Sequence, residues 1–267
     1  MSADRLQPLA LLGKPELQRV LGVLTDIDDT LTRDGAIEPV ALAALHRLHA
    51  STIPIIAITG RPAGWSEPFA LQWPVQAIVA ENGGVMLRAG PGGLEREFAQ
   101  GDAERSRNAE RLQACAAAVL REIPGTRLAA DSAGRLTDIA VDHSEFTQLG
   151  EARIQQVAAL MRRHGLNATV SSIHINGWIG EHTKWTGAQW AVQRCTGAPI
   201  RAEDWLYVGD STNDQLMFEH IPLSIAVANI ARFLPRLDVL PAYITRAERG
   251  AGFAEVASAL LAARGGG

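Results

Sequence analysis

Acidic residues follow two short apolar runs in this chain of 267 residues. Residues 21–25 lead into the segment 26–30, Asp-Ile-Asp-Asp-Thr, and residues 205–208 lead into the segment 209–214, Gly-Asp-Ser-Thr-Asn-Asp. A short apolar run that ends in polar residues is typical of a buried parallel strand. Because ligands of open α/β sheets bind at the carboxyl ends of the strands, we expect both acidic segments at one site.

Carboxylates gathered in this way repel one another unless a cation neutralises them. Oxygen ligands without a His or Cys pattern favour Mg²⁺ over Zn²⁺, because Mg²⁺ uses few carboxylates and keeps several waters. The candidate ligands are Asp26, Asp28, Asp210 and Asp214, with Asp28 able to offer its backbone carbonyl. Each segment alone also fits an acidic turn that caps the following helix, so the prediction rests on their combination.

Two further features are suited to an anionic group. Thr59, Gly60 and Arg61 follow the apolar run 53–58 and offer a hydroxyl, an accessible backbone amide and a guanidinium. Lys184 begins a predicted helix, where a cation is unfavourable for the helix dipole unless an anion lies nearby. The sequence is also compatible with Arg61 and Lys184 as ordinary exposed side chains on the surface. Beside a Mg²⁺ site these groups are suited to hold a phosphoryl group, while one carboxylate attacks and Asp28 transfers protons.

The apolar spacing on both sides of the middle of the chain predicts alternating strands and helices. Strands are expected at 21–25, 53–58, 76–80, 205–208 and 224–228, and helices at 39–50, 183–195, 212–220 and 251–263. This alternation indicates βαβ units and an α/β fold with a Rossmann-like parallel sheet.

The middle of the chain has a different pattern. A hairpin is expected at 85–98, helices at 102–122 and 150–163, and strands at 135–142, 168–172 and 174–179. This mixture predicts an inserted α+β cap domain at 85–179, with 1–84 and 180–267 forming the catalytic core.

Composition excludes several classes of function. A formal net charge of −4 gives the chain no basic field for nucleic acid. Apolar runs are too short to cross a bilayer, and the first residues do not have the pattern of a signal peptide. Cys115 and Cys195 are the two cysteines and have no metal or redox spacing. We therefore expect a cytoplasmic protein that binds neither nucleic acid nor membranes.

Taken together and in this order, the motifs resemble those of the haloacid dehalogenase superfamily. They are the segments 26–30, 59–61 and 209–214 together with Lys184. The segment Ala-Glu-Asn-Gly-Gly at 80–84 and the large insert before the lysine are similar to the Cof-like branch, which includes sucrose-phosphate phosphatases. The resemblance covers residues 15–84 and 180–264, and it implies an α/β core with an α/β cap.

The resemblance also implies the roles of individual residues. Asp26 would be the nucleophile and a metal ligand, and Asp28 would be the acid and base, with its carbonyl on Mg²⁺. Asp210 would bind the metal directly, and Asp214 would support the metal or its waters.

For the phosphoryl group, the resemblance implies that Thr59 and Lys184 hold it and that Asn213 lines its pocket. Gly60 and Arg61 complete the predicted phosphate loop. The implied activity is the hydrolysis of a small phosphorylated metabolite, such as a sugar phosphate or a phosphorylated glycoside, through an aspartyl-phosphate intermediate.

Substrate choice is expected to depend on the cap, because the core recognises only the phosphate. The segment 171–178 lies just before the chain returns to the core, and His174 is our candidate for a substrate contact. Asn176 fits a substrate contact and a hairpin position equally well, whereas Trp178 is expected in the core of the cap.

Two alternative functions share the acidic motifs. A phosphomutase would also form a phospho-aspartate but would return the group to a substrate hydroxyl. A non-catalytic metal-binding or receiver module would use the carboxylates alone, although Lys184, the cap and a complete acid/base pair argue against it.

Overall fold

The computed structural model of this chain describes residues 6–265, in which strands and helices alternate. The strands are β1 (Gln7–Pro8), β2 (Gly22–Thr25), β3 (Thr32–Arg33), β4 (Ala36–Ile37), β5 (Ile55–Ile58), β6 (Ala77–Ala80), β7 (Val85–Gly90), β8 (Gly93–Phe98), β9 (Asp138–Asp142), β10 (Asn167–Val170), β11 (His174–Trp178), β12 (Trp205–Gly209), β13 (Leu223–Ala226) and β14 (Tyr243–Ile244). The α-helices are α1 (Lys14–Arg19), α2 (Pro39–Ala50), α3 (Ala63–Gln72), α4 (Asp102–Glu122), α5 (Glu151–Arg163), α6 (Lys184–Thr196), α7 (Gln215–His220) and α8 (Arg249–Gly265).

The central sheet has the strand order β1-β14-β13-β12-β2-β5-β6-β7-β8 over the described residues. Neighbouring strands from β1 to β6 in this order are parallel, and β7 and β8 are added antiparallel. All residues of β2, β5, β6, β12 and β13 are buried. Such burial is typical of a parallel sheet covered by helices on both faces, and the predicted α/β fold is confirmed.

Helices cover both faces of the central sheet. On one face, Leu45 and Leu48 of α2 pack in the same apolar cluster as Phe253 and Leu260 of α8. On the other face, α6 contributes Val192 to a second cluster. Complete burial of a leucine or phenylalanine side chain contributes roughly 1.5–3 kcal/mol, so these two clusters hold the strand ends in place.

A second, smaller sheet lies in the middle of the chain. Its strands are antiparallel in the order β10-β11-β9, and helices α4 and α5 pack against it. It has its own apolar cluster, which includes Val119, Val157 and Ile175. We call this unit the cap.

The hairpin at 85–98 belongs to the central sheet rather than to the cap. Strand β7 pairs with β6 directly across the turn at 81–84, and Val85, Met86 and Leu87 are buried there. The division of the chain into domains stays a prediction. Because the hairpin continues the sheet, we propose that the insert begins after Phe98 rather than at residue 85.

The structure contains several elements that the periodicity did not indicate. Helix α3 includes Pro68, and Gly64 in its first turn approaches the backbone of Gly134 too closely for a Cβ atom. Strands β1, β3, β4 and β14 have two residues each, and α1 has six, so they are too short for a periodic pattern. Within residues 6–265 we find no helix with the length and apolarity needed to span a membrane.

Candidate active site

Three carboxylates meet at the carboxyl ends of β2 and β12, which are neighbours in the central sheet. Asp26 follows β2, Asp210 follows β12, and Asp214 ends the 3₁₀ turn Thr212–Asp214. One oxygen of each carboxylate lies within 4.8 Å of one oxygen of the other two, and all three residues are buried. The structure thus brings both acidic segments to one site, as the parallel sheet requires.

Lys184 lies between two of these carboxylates. Its Nζ is 2.7 Å from Oδ1 of Asp26 and 2.7 Å from Oδ1 of Asp214. Thr183 caps α6 through a hydrogen bond from the backbone amide of Thr186, which fixes Lys184 as the first helical residue. Burial alone would lower the pKa of Lys184, but the two carboxylates reverse this effect and raise it. The side chain therefore remains an ammonium group.

Asp214 is held by hydrogen bonds on both of its oxygens. Tyr207 donates its hydroxyl to Oδ1 at 2.5 Å, in addition to Lys184. Oδ2 accepts from the backbone amides of Asp210 at 2.9 Å and Ser211 at 3.0 Å. Asp214 therefore holds both the backbone at Asp210 and Ser211 and the ammonium group of Lys184.

The remaining oxygens fit a hard divalent cation. Oδ1 of Asp210 is buried and has no hydrogen-bond partner, while Oδ2 accepts from Asn229 at 3.0 Å. Burial, together with Asp26 and Asp214, raises the pKa of Asp210 well above its ordinary value. Burial likewise raises the pKa of Asp26 to about 8, against the opposing charge of Lys184. Buried carboxylates of this kind are stabilised by a metal ion, and carboxylate oxygens are the donors that Mg²⁺ prefers.

We expect MgCl₂ to raise the Tm of the wild-type protein relative to EDTA, and Asp210→Asn to abolish this increase. A ligand at 100 times its Kd stabilises a fold by about 2.7 kcal/mol. In EDTA the variant should be as stable as wild type or more so, because it removes a buried carboxylate that is unpartnered at Oδ1. A thermal-shift series in both buffers measures this, and an equal Mg²⁺ increment in wild type and variant would contradict the metal assignment.

The Asp28 side chain lies outside the group of three and contacts Arg61. The Nε of Arg61 donates to Oδ1 and Oδ2 of Asp28, at 2.9 and 3.1 Å. Arg61 also donates to Asp131 at 3.2 Å and to Glu145 at 2.9 Å, both of which belong to the cap. Burial lowers the pKa of Arg61, but the carboxylates, above all those of Asp28 and Glu145, reverse this and raise it. Arg61 thus connects Asp28, the predicted acid and base, with the cap. That the backbone carbonyl of Asp28 binds a metal stays a prediction.

The predicted phosphate loop is packed against the cap. Thr59 is fully buried, and its hydroxyl accepts from the backbone amide of Arg61 at 3.0 Å. The carbonyl of Gly60 accepts from Asn176 at 3.0 Å and from Arg135 at 3.1 Å. A Cβ atom at position 60 would come within 3.2 Å of the Asn176 amide oxygen, so glycine suits this contact.

The other predicted contacts are distributed around the site. Asn213 is buried and its Oδ1 accepts from the hydroxyl of Ser211 at 2.8 Å. His174 is buried behind Glu145, with its Nε2 2.9 Å from Glu145 Oε2. Trp178 is buried and donates its indole N–H to the carbonyl of His182 at 2.7 Å. The roles of these residues toward a substrate stay predictions.

A cavity of about 230 Å³ opens between the core and the cap beside Asp28. Asp28, Asp29 and Arg61 form part of its wall on the core side. Glu145 and Ser172 form part of the wall on the cap side. Arg232, another residue of the wall, lies 3.7 Å from Oδ2 of Asp210, so the cavity adjoins the group of carboxylates.

Glu81 is a buried acidic residue near the site whose contacts the sequence did not indicate. It is fully buried, and its carboxylate accepts from the backbone amides of Ala63, Leu136 and Thr137 and from the Thr137 hydroxyl. Its φ of 52° and that of Asn82, 53°, lie in the left-handed region. Glu81 belongs to the segment Ala-Glu-Asn-Gly-Gly at 80–84, which the sequence analysis noted. The residues that donate hydrogen bonds to its carboxylate are distant in sequence, so these contacts could not be read from the segment. Other residues that were not singled out are Asp131, Arg135, Glu145, Tyr207 and Asn229.

Comparisons with known proteins agree with this geometry. Residues 23–97 match the family model described as haloacid dehalogenase-like hydrolase. The chain is also 27% identical over 240 residues to a phosphoglycolate phosphatase of Methanosarcina mazei. The alignment covers 87% of this chain and 93% of that protein.

The fold is similar to those of solved structures at low sequence identity. A Thermoplasma acidophilum protein superimposes with a TM-score of 0.68 at 15% identity, covering 90% of this chain and 98% of that one. The sucrose-phosphatase of Synechocystis sp. PCC6803, solved with sucrose and phosphate, superimposes with a TM-score of 0.64 at 15% identity, covering 90% and 97%. The buried carboxylates, the lysine between them and the cap agree with these likenesses, which make the chain similar to haloacid dehalogenase-like hydrolases and its fold similar to that of a sucrose-phosphatase.

Proposed function

We propose that this protein is a Mg²⁺-dependent phosphatase for a small phosphorylated metabolite, a sugar phosphate or a phosphorylated glycoside. The observation that carries the proposal is the position of Asp26. Its carboxylate lies beside a buried ammonium, that of Lys184, and in one group with Asp210 and Asp214. The cavity beside Asp28 provides space for the rest of the substrate.

In the first proposed step, a carboxylate oxygen of Asp26 attacks phosphorus and the bond from phosphorus to the leaving oxygen breaks. The Lys184 ammonium, 2.7 Å from the other side-chain oxygen, neutralises part of the charge that gathers on the phosphoryl oxygens. Asp28 in its protonated form gives its proton to the leaving oxygen, and the carboxylate that results is held by Arg61 Nε.

In the second step, water attacks the phosphorus of the acyl phosphate and Asp28 takes a proton of the water. The bond from phosphorus to the Asp26 oxygen breaks, so inorganic phosphate leaves and the Asp26 carboxylate is regenerated. A bound Mg²⁺ would be held by Asp26 and Asp210 and would supply additional neutralisation of the phosphoryl oxygens. Asp214 holds Lys184 and the amides of Asp210 and Ser211 through both steps, which keeps the charges in place.

The size of the cavity supports a small leaving group. About 230 Å³ is less than the 300–1,000 Å³ of typical drug-sized sites, and the cap covers it. Of the similar proteins, one is named for phosphoglycolate and another contains sucrose and phosphate. A small phosphorylated metabolite is consistent with both.

The experiment is a phosphate-release assay on a panel of aryl phosphates, sugar phosphates and small carboxylate phosphates, with Mg²⁺ or EDTA. We expect turnover of several members with Mg²⁺ and none with EDTA. An isomeric sugar phosphate without free phosphate would instead indicate a phosphomutase. Absence of any turnover, together with a Mg²⁺-dependent Tm, would favour a non-catalytic metal-binding module and refute the proposal.

A further inference from the structure

We propose that Glu145 determines substrate specificity by favouring a neutral, hydroxyl-bearing leaving group over one that carries a carboxylate. The proposal rests on the proposed phosphatase function. The structural basis is a cap carboxylate fixed in the wall of the cavity, next to arginines that are already paired with carboxylates.

Glu145 is held in one orientation by contacts to both of its carboxylate oxygens. Oε1 accepts from Arg61 at 2.9 Å and Oε2 contacts Nε2 of His174 at 2.9 Å. Its backbone amide donates to Asp142 at 2.9 Å, which fixes the loop after β9. Burial alone would raise the pKa of Glu145, but His174 and Arg61 lower it to about 2, so it is ionised at neutral pH.

Every arginine of the cavity wall is already paired with a carboxylate, and Arg232 and Arg249 share Asp29. Each has at least two carboxylates within 4 Å. The pairs are Arg61 with Asp28, Asp131 and Glu145, Arg232 with Asp29 and Asp210, and Arg249 with Asp29 and Glu248. A carboxylate on the leaving group would therefore meet the negative charge of Glu145 and would have to compete with Asp28 and Asp29 for the arginines, which like-charge repulsion disfavours.

Hydroxyl groups find suitable partners at the same wall. Each carboxylate oxygen of Glu145 uses one contact and can accept another hydrogen bond. The Oγ of Ser172 is buried, lines the cavity and has no hydrogen-bond partner. A buried polar atom of this kind gains a partner when a hydroxylated leaving group enters. The wall is therefore complementary to a polyol.

The test compares wild type with Glu145→Gln on glucose 6-phosphate, phosphoglycolate and p-nitrophenyl phosphate, with Mg²⁺ present. Gln keeps the size of the side chain and removes its charge. We expect wild type to prefer the sugar phosphate, and the variant to shift the ratio of kcat/KM values toward phosphoglycolate by about 10- to 100-fold. Hydrolysis of p-nitrophenyl phosphate, which has neither hydroxyls nor a carboxylate, reports any general loss from the altered Arg61 contact, and the other two rates are compared relative to it.

The control variant is Glu110→Gln, which makes the same substitution at an exposed position of α4 in the cap and should leave all three rates unchanged. An equal fall of all three rates in Glu145→Gln would show that Glu145 only holds the cap and would overturn the proposal. A wild-type preference for phosphoglycolate over glucose 6-phosphate would also overturn it, while leaving the phosphatase function intact. If wild type hydrolyses none of the substrates, the proposed function itself fails.

Discussion

Asp26→Asn should lower kcat by roughly 10⁴-fold or more on every phosphorylated substrate, because an amide oxygen cannot serve as the attacking nucleophile. The fold should persist, since Asn has the size of Asp and Lys184 retains its contact to Asp214 at 2.7 Å. Burial already raises the pKa of Asp26 to about 8, so a neutral group at this position is compatible with the surroundings. Steady-state kinetics and a thermal melt measure both effects.

Two controls make the Asp26 result specific. Asp238→Asn introduces the same change at an exposed position and should leave kcat unchanged. Asp26→Ala excludes activity recovered through slow deamidation of the new asparagine. Activity of Asp26→Asn within tenfold of wild type would show that another residue attacks phosphorus.

The second large effect is expected for Lys184→Met. The substitution leaves the buried carboxylates of Asp26 and Asp214 without their cation, and breaking a buried ion pair in this way costs about 3–5 kcal/mol. In EDTA we therefore expect the Tm to fall by roughly 10 °C. With Mg²⁺ part of this loss should be recovered, but kcat should stay lower by about 10³-fold, because the ammonium no longer stabilises the phosphoryl charge.

A double-mutant cycle distinguishes this ion-pair effect from a general packing defect. Lys184→Met combined with Asp26→Asn should lose less stability than the sum of the single variants, because the second change removes one of the unpaired carboxylates. Arg121→Met, which removes an exposed cation from α4, should leave both the Tm and kcat unchanged. Additive losses in the double variant would contradict the proposed pairing.

Much of the fold was predictable because its signals are local. Strands such as β2 and β12 are continuous apolar runs that stop at polar residues, and helices such as α2 have apolar residues at helical spacing. The parallel sheet then required that the acidic segments meet. Helix α3, with its proline and glycine, gave no such pattern and was not placed by the sequence.

The cap side of the site was less predictable because it depends on pairs far apart in the chain. Glu145 follows β9 in an ordinary polar loop, and its partner Arg61 lies 84 residues away. His174 lies near the end of the insert, where its Nε2 contacts Glu145, and its role toward a substrate stays a prediction. A sequence gives the types of these residues, but the packing of the cap on the core decides which of them meet.

The contacts of Arg61 have a consequence for chimaeras in which the cap is exchanged between related enzymes. Its guanidinium is buried and uses two cap carboxylates, Asp131 and Glu145, to balance its charge beyond Asp28. A grafted cap that lacks acidic groups at these two positions would leave the buried guanidinium of Arg61 without its partners on the cap side, which destabilises the chimaera by several kcal/mol. Successful transplants onto this scaffold should therefore either carry that acidic pair or replace Arg61 at the same time.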